Sequence, residues 1–363
     1  MSRLQAILAI VAGSAGLLAF GLGLVGGGPL LFLFATGLTA ATLARFAFRL
    51  PLLVDMAALV LCATAMMSML PAGAMQPAHF WVGMIATWAL AWLLVERLAK
   101  AIRGGEAPAA VGALIPVIFG LMLLLLWELV TRGAGVPQVL LPPPSQIAAR
   151  FVASIPILWA DFQQTFLKAV LAGYAIGCGA GFVVAIIIDR SPFLKRGLLP
   201  IGNFVSALPI VGIAPILVMW FGFDWPSKAA VVVTMTFFPM LVNTVAGLNA
   251  ASAMERDLMQ TYAAGYWRTL AKLRLPAAAP FIFNALKINS TLAMIGAIVA
   301  EFFGTPIVGM GFRIATEVGK LNIDLVWAEI AVAAVVGSAF YGLIALVERA
   351  ITFWHPSVRG ARA

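Results

Sequence analysis

The sequence predicts an all-α polytopic membrane protein with about ten transmembrane helices. Of its 363 residues, 63% are hydrophobic and only 10% are charged, whereas a soluble domain carries roughly 25% charged residues. The mean hydropathy is +1.05. Apolar runs of about 18–20 residues, the length that a helix needs to cross a bilayer, recur along the chain. The ten-residue alternation of a transmembrane β-barrel is missing from the sequence, so helices are the predicted spanning elements.

Four apolar runs fall within residues 1–95 and form the first predicted part of the chain. They are Leu4–Val25, Pro29–Ala44, Leu52–Met69 and Phe80–Leu94. The first run is long enough to favour an uncleaved span over a signal peptide. A charged stretch, 96–110, follows and contains Gly104-Gly105, which is typical of a linker. The sequence therefore predicts an N-terminal four-helix membrane module, to which it assigns no role, and a cytoplasmic linker.

One carboxylate, Asp55, lies inside the third apolar run. A charged group at the centre of a span costs about 2.5–3.5 kcal/mol on insertion scales, so it needs a partner or a route to the interface. Because Asp55 lies near the Arg49 end of the run, the sequence favours a carboxylate that snorkels or pairs with an arginine there. A proton-relay role is the alternative.

Six further runs lie between residues 111 and 350. They are Val111–Val130, Phe166–Ile188, Ile201–Phe221, Ala229–Leu248, Phe281–Val299 and Leu325–Leu346. The second of these contains closely spaced glycines that suit tight helix packing. The third is interrupted by Pro209 and Pro215, whose freed backbone carbonyls need neighbours. These prolines favour a buried span beside a pathway, or equally a simple packing kink.

The longest polar interruption in the C-terminal half is the segment 250–280. It is rich in charged residues and ends at Leu275-Pro276, just before the next apolar run. With the N-terminus in the cytoplasm, most of the 23 lysines and arginines fall in segments on the inner side, as the positive-inside rule requires. This topology places the C-terminus, the basic tail 351–363 and the segment 250–280 in the cytoplasm.

The residues offer no catalytic constellation. The chain has no Walker A phosphate loop and no cluster of His, Cys and carboxylate residues, so it predicts neither ATP hydrolysis by this chain nor a metal site. Cys62 and Cys178 lie inside apolar runs and imply no disulfide framework. The net charge of +9 is explained by the positive-inside pattern rather than by a nucleic-acid partner.

Several local patterns between residues 141 and 312 resemble those of one transporter family. They are Leu141-Pro142-Pro143-Pro144-Ser145, Pro200 with Ala207-Leu208-Pro209 and Pro215, Trp220-Phe221-Gly222-Phe223, Phe237-Phe238-Pro239, Ala300-Glu301 and Gly309-Met310-Gly311-Phe312. From about Asp161 to Arg349 the chain resembles the inner-membrane permease subunits of binding-protein-dependent ATP-binding-cassette (ABC) importers. The branch it resembles carries nitrate, sulfonate, taurine and pyrimidine precursors.

In this family a cytoplasmic coupling loop reads Glu-Ala-Ala, three residues, Gly, nine residues, Ile-x-Leu-Pro. Counted back from Leu275-Pro276, the aliphatic position is Leu273 and the glycine position is Ala263. The Glu-Ala-Ala positions hold Asp257, Leu258 and Met259, and Gly265 follows two places after the family's glycine. The chain thus keeps an acid, the aliphatic residue and Leu-Pro, while the two alanines are replaced.

The resemblance implies a type I ABC importer permease core at 111–350, with its coupling loop at 250–280. It implies a path for a small solute, anionic or heterocyclic, in a bacterial inner membrane. The implied partners are two ABC ATPase subunits, a periplasmic solute-binding protein and a second permease copy, with a homodimer as the expected form. ATP and Mg would be bound by the ATPase, and this chain would bind no cofactor.

Met254, Leu258 and Tyr262 recur at four-residue spacing and form one apolar stripe on a helix. Two interpretations stay open for it, docking to the ATPase and packing against the chain's own spans. Under the first, Asp257, Tyr262 and Ala263 lie at the ATPase contact.

Pro209, Pro215 and Glu301 are the candidates for a pathway or gating role. For Glu301 the structural alternative is a carboxylate capped by a nearby loop or by Arg313. Glu128 has the same two interpretations, and Lys287 is expected to snorkel to the inner interface.

Two other classes of protein compete with an importer permease. An ion-gradient-driven secondary transporter would need ionisable groups near the middle of its spans, and these runs have few. A membrane-bound enzyme or assembly factor would need a catalytic constellation.

Overall fold

The computed structural model describes residues 5, 7–15, 52–70, 76–105, 108–206, 209–304 and 307–354. The regular elements in these ranges are helices. Six of them are long and apolar enough to cross a membrane: Ala78–Arg103, Ala110–Gly133, Ile155–Arg190, Trp225–Leu248, Tyr266–Glu301 and Ile323–Ile351. Residues 7–15 of the first predicted run are also helical. The rest of that run, the run Pro29–Ala44 and the tail from residue 355 lie outside the described residues.

Packing divides the chain into two units, Met1–Ala149 and Arg150–Ala363. This border lies beyond the predicted linker 96–110, so the first run of the predicted permease core belongs to the first unit by packing. The assignment of residues 1–95 to a separate module stays a prediction.

The first unit contains α1 (Leu52–Ser68), α2 (Ala78–Arg103) and α3 (Leu114–Gly133). The α2 side chain Phe80 packs where Gly133 leaves space, since a Cβ on that glycine would lie 2.7 Å from the ring. Asp55 is fully buried and bonds to Arg97 of α2. It is therefore an arginine-paired carboxylate, as one interpretation of the sequence required. The partner is on another helix, and Arg49 lies outside the described residues.

The end of α3 is tied to the proline-rich element that follows it. Glu128 accepts hydrogen bonds from the backbone N–H of Ser145 at 2.8 Å and from its hydroxyl at 2.6 Å. Arg132 adds a contact at 3.2 Å. Glu128 is thus capped by the Leu141–Ser145 element, at the start of the short helix α4 (Pro144–Ala153).

The second unit is built around three long helices, α5 (Ile155–Arg190), α8 (Trp225–Leu248) and α10 (Tyr266–Glu301). The glycines of α5 allow its close approach to α8. A Cβ on Gly173 would lie 2.6 Å from the carbonyl oxygen of Ala229, and one on Gly181 would lie 2.5 Å from that of Phe237. Gly179 has no neighbour within 4 Å, so only one face of the helix carries this packing.

The predicted run Ile201–Phe221 is two helices rather than one continuous span. They are α6 (Pro192–Ser206) and α7 (Ile210–Phe221), and Pro209 is the extended residue that precedes α7. Pro209 has φ of −68° and ψ of 120°, so the helical backbone is interrupted at this residue. Pro215 lies inside α7 and leaves that helix intact.

The chain after α10 continues through α11 (Met310–Gly319) to α12 (Ile323–Ile351). Lys287, near the middle of α10, forms an ion pair with Glu348 of α12 at 2.7 Å. The sequence did not predict this carboxylate partner on a neighbouring helix, and snorkelling of Lys287 to the inner interface stays a prediction.

Candidate functional site

The polar segment 250–280 begins with a short helix, α9 (Ala253–Thr261). Its start is fixed by a capping box, in which Ser252 Oγ accepts from the Glu255 N–H and the Glu255 carboxylate accepts from the Ser252 N–H. These bonds hold the pKa of Glu255 below its usual range. The sequence therefore builds an independent helix here, separate from α8 and α10.

The predicted stripe on α9 faces away from the rest of the unit. Met254 is 82% exposed, Leu258 55% and Tyr262 75%. Arg256 lies on the opposite side of the helix and is half-buried. Of the two open interpretations, this arrangement favours docking for the stripe, because none of its three side chains packs inward.

Three other residues of the predicted coupling loop, Asp257, Met259 and Gly265, lie outside this stripe. Asp257 is exposed next to Leu258, whereas Met259 is half-buried. Gly265 is exposed and precedes the first turn of α10.

Ala263 turns the chain between α9 and α10 in a left-handed conformation, with φ of +49°. A residue with a Cβ adopts this conformation at a cost of about 1–2 kcal/mol, and glycine adopts it freely. Gly265, by contrast, has φ of −66°. The position that needs a glycine is therefore 263, the one that the spacing to Leu275-Pro276 assigns to the family's glycine.

Beyond this turn the segment packs inward. Leu270 is buried against Leu248 and Ala278. Leu273, Leu275 and Pro276 are half-buried, and residues Leu270–Arg274 form a π-helical stretch within α10. Leu270 and the residues that follow it thus anchor the segment to the bundle, whereas the exposed stripe of Met254, Leu258 and Tyr262 does not.

An ion pair that the sequence did not single out anchors this segment. Arg274 donates two hydrogen bonds to the carboxylate of Asp189, at 2.6 and 2.7 Å, and a third to the Leu248 carbonyl at 2.9 Å. Tyr266 donates its hydroxyl to the same carboxylate at 3.2 Å. The base of the segment is therefore held to the ends of α5 and α8.

A second polar cluster lies at the far end of α10, around Glu301. This carboxylate is buried and accepts hydrogen bonds from the Thr165 hydroxyl at 2.8 Å and the Gly311 N–H at 2.7 Å. Thr165 in turn accepts from the Met310 N–H at 2.9 Å. Glu301 is thus capped by the loop that contains Gly309–Phe312, which was one of the two predicted arrangements.

Arg313, the other predicted partner of Glu301, binds Asp161 instead. Its Nε donates to Asp161 at 2.8 Å, and this bond raises the pKa of the guanidinium. Asp161 also accepts from the Gly309 N–H at 2.6 Å. The sequence reasoning missed Asp161 and Thr165, although two polar residues four apart, just before an apolar run, offered a signal.

The two prolines that were candidates for a pathway or gating role lie at different positions along α7. Pro215 follows Ala214, which packs with Ala300 in one small apolar cluster, so the middle of α7 lies beside the Glu301 end of α10. Pro209 lies at the other end of α7, at the break.

Comparison with known proteins matches residues 173–353 to the family described as binding-protein-dependent transport system inner membrane component. The formylaminopyrimidine transport permease ThiX of Halalkalibacterium halodurans is 32% identical over 242 residues, which cover 67% of this chain and 96% of that protein. The chain belongs to this family. A probable ABC transporter permease of Haemophilus influenzae is 30% identical over 226 residues, covering 62% of this chain and 91% of the relative. The taurine permease TauC of Escherichia coli is 25% identical over 245 residues, covering 66% and 88%.

This permease is a multi-pass membrane subunit of an ABC importer. It forms the translocation path for a small solute and works with a separate ATPase and a solute-binding protein. The match begins at Gly173, within α5, so the first 172 residues lie outside the family model.

Proposed function

We propose that α9 is the element through which ATP hydrolysis in the partner ATPase drives this permease. The observation that carries the proposal is the exposed apolar stripe of Met254, Leu258 and Tyr262 on a segment whose base is fixed to the bundle. An exposed apolar patch on a polar surface segment is typical of a docking site. Because the base of this segment is fixed to the bundle, the segment can transmit movement of the docked ATPase to α5, α8 and α10.

The arrangement of the complex follows from the family resemblance and the charge distribution. We infer two ATPase subunits, one periplasmic binding protein and a homodimer of this permease, in a bacterial inner membrane with both termini in the cytoplasm. ATP and Mg are bound by the ATPase, and this chain binds no cofactor and catalyses no hydrolysis. Glu301, Pro209 and Pro215 remain candidates for gating.

The solute is proposed to be a small anionic or heterocyclic molecule. Its support is the chemistry in the names of the relatives: formylaminopyrimidine for ThiX, taurine for TauC, and aliphatic sulfonates for the putative permease SsuC of Bacillus subtilis. Binding of such solutes to the partner binding protein, measured by calorimetry, tests this class.

Co-purification and uptake test the docking surface. Leu258→Glu and Ala263→Asp place a charge at the proposed contact and should abolish both ATPase co-purification and solute uptake. Asp257→Lys should weaken both. The matched control is Ala271→Glu, an equal charge at an exposed position of the same polar segment beyond the turn at Ala263, which should leave both unchanged. Normal uptake in the first three variants would disprove the role of α9.

Energy coupling is tested separately with an ATPase whose Walker A lysine is replaced. Uptake should stop in that complex. Uptake that continues and is abolished by collapsing the ion gradient would instead indicate the secondary-transporter alternative.

A further inference from the structure

The side of α9 opposite the apolar stripe faces a polar cavity of about 450 Å³. The cavity lies between α9, the ends of α5 and α8, the start of α6 and the first turns of α10. Its polar lining includes Asp189, Lys195, Asn249, Arg256, Gln260 and Arg274. A volume of this size, with polar groups converging on it, is typical of a site for a small ligand.

The charges on the cavity lining do not balance. Arg274 and Asp189 neutralise each other through two short hydrogen bonds. Lys195 contacts the Asn249 amide oxygen at 3.3 Å, and Arg256 contacts its own helix at the Ser252 carbonyl, at 3.4 Å. Within the described part of the chain, neither of these two cations forms an ion pair with a carboxylate. The cavity is therefore positively charged.

We propose that this cavity binds a phosphate group, which bridges Lys195 of α6 and Arg256 of α9. Phosphate oxygens accept several hydrogen bonds at once, and arginine and lysine are the side chains that usually bind them. The group belongs either to free inorganic phosphate or to an anionic phospholipid headgroup, because basic pockets at the cytoplasmic ends of transmembrane helices bind such headgroups.

A bridging phosphate has a mechanical consequence, which rests on the proposed role of α9. Arg274 and Asp189 fix the base of the polar segment, while α9 itself has its apolar stripe in solvent. A phosphate held by both Lys195 and Arg256 would tie α9 to α6 and restrict its movement relative to the bundle. The site would thereby set how firmly the docking helix is held.

The test uses the full-length chain in nanodiscs and measures the midpoint of thermal unfolding. In one arm the lipid is phosphatidylcholine and inorganic phosphate replaces chloride at constant ionic strength. In the other arm phosphatidylglycerol is added to the bilayer without phosphate in the buffer. A ligand that binds only the folded state raises the midpoint as its concentration rises, which gives its apparent affinity.

We expect the midpoint to rise in at least one arm, and the arm that responds identifies the source of the phosphate group. In the double variant Lys195→Gln/Arg256→Gln the apparent affinity should fall at least about tenfold. The matched control is Arg196→Gln, which removes the neighbouring exposed cation outside the cavity lining and should respond as wild type. No rise in either arm, or an equal rise in the double variant, would overturn the proposal.

Co-purification of the ATPase, measured on the same variants, separates this proposal from the proposed function. Loss of phosphate binding with ATPase docking intact shows that the two sides of α9 act independently. Loss of docking in Leu258→Glu with phosphate binding intact leaves this proposal standing.

Discussion

The backbone N–H of Gly311 donates a hydrogen bond to the buried carboxylate of Glu301 at 2.7 Å. The contact joins the end of α10 to the start of α11, and it requires that position 311 carry no side chain. A Cβ there would lie against the Ile298 carbonyl and 2.9 Å from Glu301 Cβ. At Gly309 a Cβ would lie 2.8–2.9 Å from the carboxylate atoms of Glu301, so this glycine leaves space for the carboxylate, whereas Gly311 leaves space for the backbone of Ile298.

Gly311→Ala should therefore destabilise the permease by about 1–3 kcal/mol, the usual cost of forcing an extra methyl group into a packed site. The measurement is the free energy of unfolding in detergent, together with the yield of folded protein. Gly319→Ala, at the other end of α11 with no neighbour within 4 Å, is the control and should be tolerated. Equal stability of the two variants would contradict the packing described.

The contact between α5 and α8 gives a second prediction. In Gly177→Ala the new methyl group would meet the Thr236 hydroxyl and approach the Val233 backbone to 3.0 Å. The helices must separate, at a cost of about 1–3 kcal/mol, and uptake should fall with the loss of packing. Gly179→Ala adds the same methyl group on an open face and should cost nothing. A comparable loss of stability and uptake in both variants would indicate that the glycines are needed for helix flexibility instead of packing.

The left-handed turn at Ala263 predicts opposite effects of glycine at adjacent positions. Ala263→Gly should stabilise the turn by up to about 1 kcal/mol, because it removes the Cβ strain at φ of +49°. Ala264→Gly should destabilise it by about 0.5–1 kcal/mol, since Ala264 is not among the residues with positive φ. Hydrogen exchange of the Ala264 amide, which bonds to the Met259 carbonyl at 2.9 Å, reports both changes. Slower exchange of this amide in Ala264→Gly than in the wild type would contradict the assignment of the left-handed conformation to Ala263.

The turn between α11 and α12 should weaken in acid. Burial alone would raise the pKa of Glu317, but hydrogen bonds from Asn322 at 2.6 Å and Lys320 at 2.8 Å outweigh it and lower the pKa from 4.5. Because the folded pKa is depressed, this contribution to stability is present above the unfolded pKa and is lost as pH falls through the folded value. Hydrogen exchange of the Asn322 backbone amide should therefore become faster below about pH 4.5 than the intrinsic pH dependence of exchange predicts. In Glu317→Gln this additional acceleration should be smaller. If the exchange rate of this amide had the same pH dependence in the wild type and in Glu317→Gln, the carboxylate of Glu317 would not stabilise the turn.

Much of this arrangement could be predicted because it depends on local sequence. Apolar run length predicted the long helices, and the spacing to Leu275-Pro276 put the family's glycine at Ala263, where the chain turns left-handed. The stripe on α9 followed from four-residue periodicity.

What could not be predicted were the partners of charged residues across the fold. Asp55 binds Arg97, Arg313 binds Asp161 and Lys287 binds Glu348. Each pair joins residues far apart in sequence, and helical periodicity contains no information about which helices are neighbours. The sequence indicated an interruption at Pro209 within one span, whereas the structure begins a separate helix after it; hydropathy continues across this position and does not distinguish the two.

The exposure of Met254, Leu258 and Tyr262 also bears on how the cell must produce this permease. A copy made in excess of its ATPase keeps three large apolar side chains in water, on a surface of the kind that chaperones and proteases recognise in unassembled proteins. The steady-state amount of permease should therefore follow the supply of the ATPase, and surplus copies should be degraded.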